Sequence, residues 1–153
     1  PMAEIAITEI SLEREATANK DGSVLGTLTV GTTSFPTIER GAGYVNLKTG
    51  SYVMKHSIKN TGRRIQCLRP EIVQIYTLLI HDALGDSSNN LEGCVAPGME
   101  KKANNMGIRR SAEAMEAVWK LLGGFEEGKK VTLNVLNNVP GETRTKDTWE
   151  RLK

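Results

Sequence analysis

At 153 residues, 39% apolar and 25% charged, the chain has the size and composition of one soluble globular domain with its own core. Twenty basic residues against 18 acidic ones leave a net charge of +2, too small to mark a nucleic-acid binder. Two Trp, three Tyr and two Phe provide no platform for stacked bases. The longest nearly apolar run, Ile72 to Ile80, is interrupted by Gln74 and Thr77 and has about half the length of a membrane-spanning helix.

In chain order, Ile5 to Arg14 reads as a strand whose apolar phase changes between Ile7 and Ile10, as a bulge would make it. Ala18 to Gly22 is turn chemistry, and Asp21-Gly22 favours a hairpin into a return strand, Leu25 to Val30. Ser34 to Glu39 follows as an edge or bulged strand because Pro36 cannot donate to a ladder. Gly41 to Tyr44 is loop, and Tyr52 to His56 and Ile65 to Leu68 are short strands. Ile72 to Ile80, β-branched and bounded by Pro70, reads as the central buried strand and ends on His81. Gly85 to Asn90 is a turn, and Val95 to Pro97 is extended.

One helix is predicted from Ser111, as N-cap, to Leu122, with Met115, Val118, Trp119 and Leu122 as its buried stripe and Gly123-Gly124 as its stop. Lys130 to Leu136 alternates cleanly as a last strand. The fold expected is therefore mostly β, a β-rich α+β arrangement: an antiparallel barrel or curled sheet with one packed helix. A single domain spans 1–137, and 138–153 is a tail that Trp149 could dock.

Chemistry concentrates between His81 and Cys94. An imidazole and a thiol separated by one polar loop can meet, and the imidazole would favour the thiolate. Glu92 or Asp82 would polarise the ring as a third member. Gly93 allows close backbone approach, and N–H groups from Gly93 to Val95 could receive an oxyanion. The plainer alternative is a buried, inert Cys94 and a hydrogen-bonded His81.

A zinc site from His56, Cys67, His81 and Cys94 lacks any short ligand pair, so no metal is expected. Asp82, Asp86 and Asn89 do not follow the order of a calcium loop. A Cys67–Cys94 disulfide is disfavoured, since an isolated intracellular pair is usually reduced. Arg63, Arg64, Arg109 and Arg110 come in pairs that read as solvated surface, with a phosphate-holding role as the alternative. Pro1 ahead of Met2 reads as a remnant before a start methionine; the alternative is a catalytic N-terminal amine.

The succession of short motifs resembles a family of small phage and bacterial proteins catalogued as a domain of unknown function. It comprises Leu12–Arg14 (L-x-R), Gly26–Val30 (G-x-L-x-V), Thr37–Glu39 (T-I-E), Gly50–Tyr52 (G-x-Y), Ile80-His81, Gly93-Cys94 and the helix at Ser111. The resemblance covers Ile5 to Leu136. Two departures bear on ligand contacts: the H-x-G-N opening is absent after His81, and Asn90 stands where Asp is usual. Leu91–Cys94 (L-E-G-C) is also similar to the S-H-G-C motif of the L,D-transpeptidases of bacterial cell walls, with Glu92 in place of the activating histidine.

Together these imply a phage- or prophage-type protein with Cys94 as nucleophile and His81 as base or orienter, a peptidase or transpeptidase acting on cell-wall peptides without a cofactor. The alternative is a non-catalytic module in which Asp82, Asn90, Gly93, Arg63, Arg64, Arg109 and Arg110 hold a nucleotide-like anion, for example a host defence signal. A third reading is a virion or interaction protein with a structural Cys94. Glu4, Glu9, Glu13 and Glu15 replace the basic region of a signal peptide, so the bacterial cytoplasm is the expected compartment.

Overall fold

The computed structural model describes residues 6–41, 44–61, 63–72, 78–83, 86, 91 and 93–143, with Thr61 and Arg63 described by backbone alone. Its strands are β1 (Glu9–Arg14), β2 (Ser23–Val30), β3 (Thr33–Arg40), β4 (Gly50–Thr61), β5 (Arg63–Pro70), β6 (Ala96–Pro97), β7 (Glu100–Lys101), β8 (Ile108–Arg109) and β9 (Lys130–Val135). Helix α1 spans Ser111–Leu121. Seven strands form one strongly curled sheet in the order β5-β4-β9-β1-β2-β3-β6, and β7 and β8 form a small hairpin. The pairing is antiparallel except between β1 and β9, where Ile10 lies opposite Leu133 and Leu12 opposite Val135.

Alternation along the strands separates two faces. Ile10, Leu12, Leu28, Met54, Leu68 and Leu133 point into the curl and form the main core. The bulge expected between Ile7 and Ile10 is absent: β1 begins at Glu9, so Ile7 lies before the strand and packs against the core from outside its register. Gly31 turns β2 into β3 at φ +64°, a conformation that suits a residue without Cβ.

The central strand expected over Ile72 to Ile80 is corrected in part. Leu78 and Leu79 belong to no strand, Ile80 makes isolated bridges only, and residues 73–77 lie outside the described ones. Ile80 exchanges two hydrogen bonds of 3.0 Å with Leu68, while Val95 N–H donates to Leu79 O at 2.9 Å and His81 N–H to Val95 O at 3.1 Å. This segment therefore links β5, at one edge of the sheet, to the residues entering β6 at the other.

Helix α1 buries Met115, Val118 and Trp119, with Leu122 just beyond it, in the same core, as its stripe predicts. A lone 11-residue helix is marginal in water, so this packing is what holds it. Its start differs from expectation. Arg110 is the N-cap by backbone, in a left-handed conformation at φ 56°, and Ser111 is the first helical residue. The Asp86 carboxylate accepts the Ser111 and Arg110 N–H groups at 2.8 and 3.1 Å, taking the place of a local capping side chain. Residues 144–153, with Trp149, lie outside the described ones; ahead of them Val139 is buried and Asn137 binds the backbone of Arg14.

Candidate active site

The parallel bridge between Ile80 and Val95 fixes the parity of both segments. Ile80 and Val95 point into the main core, whereas Leu79, Cys94, Ala96 and, from β5, Cys67 form a second apolar cluster on the outer face. Alternation puts His81 on that outer face too, beside Cys67 through the antiparallel pairing and diagonal to Cys94 through the parallel one. His81 and Cys94 thus share one face of two hydrogen-bonded segments. Leu25, Ile38, Ala83, Leu91 and Ile108 complete the cluster, leaving Cys94 4% and His81 6% exposed.

His81 Nδ1 lies 2.6 Å from the main-chain oxygen of Asp82. A carbonyl only accepts, so this contact puts the proton of the neutral ring on Nδ1 and the lone pair on Nε2. The described partner of Nδ1 is thus backbone; Glu92 and Asn90 lie outside the described residues. The turn that presents this carbonyl is clamped at the next residue. Ala83 N–H donates to Ser111 Oγ at 2.8 Å, and Ser111 O–H donates to Pro97 O at 2.6 Å. Three segments, the His81 turn, β6 and α1, meet on that one buried hydroxyl.

Gly93 has φ +94°, and a Cβ there would meet the Val45 carbonyl oxygen and approach Leu78 Cδ2 to 2.5 Å. Glycine is required by packing at this point, whatever else it does. Of the N–H groups proposed to receive an oxyanion, that of Val95 is already committed to Leu79 O.

No disulfide joins Cys67 and Cys94. Burial pushes the Cys67 thiol up from its ordinary value, Arg69 opposes this, and the neighbouring Cys94 adds to the rise. His56 points into the curl, away from the other three candidate zinc ligands, so the four do not converge; no His/Cys/Asp/Glu cluster among the described residues suits a metal. Asp86, a calcium candidate, serves the helix start instead, and Asn89 lies outside the described residues.

The arginines fall in two places. Arg109 and Arg110 lie at the β7–β8 hairpin and its exit, both toward Glu100, with Arg110 also 3.2 Å from Glu113. Arg64 instead lines a cavity of about 310 Å³ between β5 and α1, with Ile65, Gln66, Asp82, Ala112, Met115, Glu116 and Trp119. Glu116 and Trp119 escaped the sequence reading as site residues, since the helical stripe marks Trp119 as core and Glu116 as solvated surface.

At the far end of the curl, Arg14 grips Glu39 in a fully buried bidentate pair, 2.8 and 2.9 Å, and its third nitrogen donates to Leu47 O and Asn137 O. The signal was present in the sequence. Arg14 is in phase with Ile10 and Leu12, and Glu39 with Phe35 and Thr37, so both charges point inward.

Fold and site together define a curled, mostly β domain plugged by one helix, with His81 and Cys94 diagonal to each other on its outer face. The chain matches no protein-family model, no curated protein and no solved structure.

Proposed function

We propose that this chain is a cysteine-dependent enzyme of phage or prophage type that cleaves or transfers peptide bonds of cell-wall peptides. Cys94 is the nucleophile and His81 Nε2 the base. The observation that carries this reading is the hold of the Asp82 carbonyl on His81 Nδ1, which presents the basic nitrogen on the face that also carries Cys94. The carbonyl fills the orienting role that the sequence assigns to Glu92 or to the Asp82 carboxylate. The similarity of Leu91–Cys94 to the L,D-transpeptidase motif points the same way.

In the reaction, the thiol proton passes to Nε2 and sulfur attacks the carbonyl carbon. The C–N bond breaks as the amine leaves with that proton, and water or a second amine then releases the acyl group. With Cys94 only 4% exposed, substrate reaches its thiol when the apolar cluster around it opens. The anion-binding alternative has less support, because Arg109 and Arg110 are turned toward Glu100 and Arg64 shares its cavity with two carboxylates.

Incubation with isolated cell-wall stem peptides tests the proposal by mass spectrometry. An acyl adduct on Cys94 is expected, lost in Cys94→Ser, reduced in His81→Ala and kept in Cys67→Ser. The absence of both an adduct and a cleaved peptide would overturn it.

A further inference from the structure

The cavity between β5 and α1 has an apolar floor and charged walls of both signs. Ile65, Met115 and Trp119 form the floor. The Trp119 ring is held by Phe125 edge-on at 5.0 Å and by His56 at 4.8 Å, so it is a fixed surface. Arg64 on β5 and Glu116 on α1 are exposed on opposite walls, and neither has an ion-pair partner among the described residues. A guanidinium and a carboxylate that face one cavity without meeting each other are complementary to a ligand carrying both opposite charges. The second carboxylate, Asp82, makes the lining acidic on balance, which disfavours a phosphate or nucleotide.

We propose that this cavity binds a zwitterionic ligand, a free amino acid or dipeptide bearing both an amine and a carboxylate. Arg64 takes the carboxylate, Glu116 the ammonium, and the Trp119–Met115 floor the intervening carbons. At about 310 Å³ the space is at the small end of ligand pockets, enough for one or two residues. Asp82, which lines the cavity, directly follows His81, so the cavity wall is one residue from the proposed base in sequence. This link to substrate choice rests on the reading of Cys94 as nucleophile; the binding itself does not.

The test uses full-length Cys94→Ser protein, the dipeptide Ala-Ala, and its N-acetylated and C-amidated forms, read by titration calorimetry and the Trp119 indole NMR signal. Free dipeptide should bind and shift that signal, and either cap should weaken binding at least tenfold, about the loss of one charge-assisted hydrogen bond. Arg64→Gln should abolish sensitivity to amidation but keep sensitivity to acetylation, and Glu116→Gln the converse. Equal affinity for all three peptides, or no Trp119 shift, overturns the proposal. Since catalysis is absent from this assay, a Cys94 shown separately to be acylated would survive that failure, and a bound dipeptide would survive an unreactive Cys94.

Discussion

Arg14 and Glu39, 25 residues apart and both fully buried, form a two-pronged ion pair inside the curled sheet, braced by Asn46 Nδ2 on Glu39 at 3.2 Å. Burying two charges is costly, and the arrangement is tolerable because nearly every proton and lone pair has a partner. Removing one member strands the other. Arg14→Ala or Glu39→Ala should therefore cost about 3–5 kcal/mol in urea unfolding, whereas Arg14→Met combined with Glu39→Leu should recover most of that loss. Additive losses in the double variant would show that the pair is not the source.

His56 gives the fold a defined weakness in acid. It is 1% exposed, its ring packs on Trp119 and Phe125, and its Nε2 has no hydrogen-bond partner among the described residues. Burial lowers its pKa below the ordinary 6.5; Lys129 lowers it further and Glu126 opposes. The folded state thus resists a proton that the unfolded chain accepts. His56 costs no stability well above pH 6.5, and stability is lost as pH falls below that value until the folded pKa is reached. His56→Phe should flatten the pH dependence of the urea midpoint in that interval relative to the wild type. Parallel curves would mean that His56 does not titrate on unfolding.

Much of the fold was legible because it rests on local pattern. The stripe of Met115, Val118, Trp119 and Leu122 and the alternation of Val131, Leu133 and Val135 each state a face without outside help. What stayed hidden depends on partners distant in sequence. Asp86 caps a helix that starts 25 residues later, and Glu39 explains why an arginine ends β1. The site was half readable. His81 and Cys94 could be singled out as chemistry, but their common outer face follows only from the Ile80–Val95 bridge, and the same parity sends His56 inside. The cavity was illegible because it joins β5 to the exposed side of a helix that the sequence marks only as packed.

The two thiols should separate by reactivity. Cys67 is fully buried and its pKa is raised, so its thiolate fraction at pH 7 is small. Iodoacetamide should label Cys94 faster than Cys67 in the folded protein, as peptide mapping over time would show. His81→Ala should slow labelling of Cys94. Equal, slow labelling of both, indifferent to His81, would remove the nucleophile from the proposed mechanism.

Ser111 offers the sharpest test of how the imidazole is held. Its Oγ accepts the Ala83 N–H and donates to Pro97 O, so it fixes the residue next to the carbonyl on which His81 Nδ1 rests. Ser111→Ala leaves a buried N–H and a buried carbonyl without that partner, a cost of about 1–3 kcal/mol per stranded group. Lost stability alone would fit any buried hydroxyl. The specific consequence concerns the ring: once the turn relaxes, Nδ1 loses its fixed acceptor, and the tautomer with the proton on Nε2 becomes populated. Nitrogen-15 NMR of the neutral His81 ring should show Nδ1 protonated in the wild type, a mixture in Ser111→Ala, and substantial return to Nδ1 in Ser111→Thr, which keeps the hydroxyl. If His81 stays fully Nδ1-protonated in a folded Ser111→Ala protein, Ser111 is a structural tie and does not position the base.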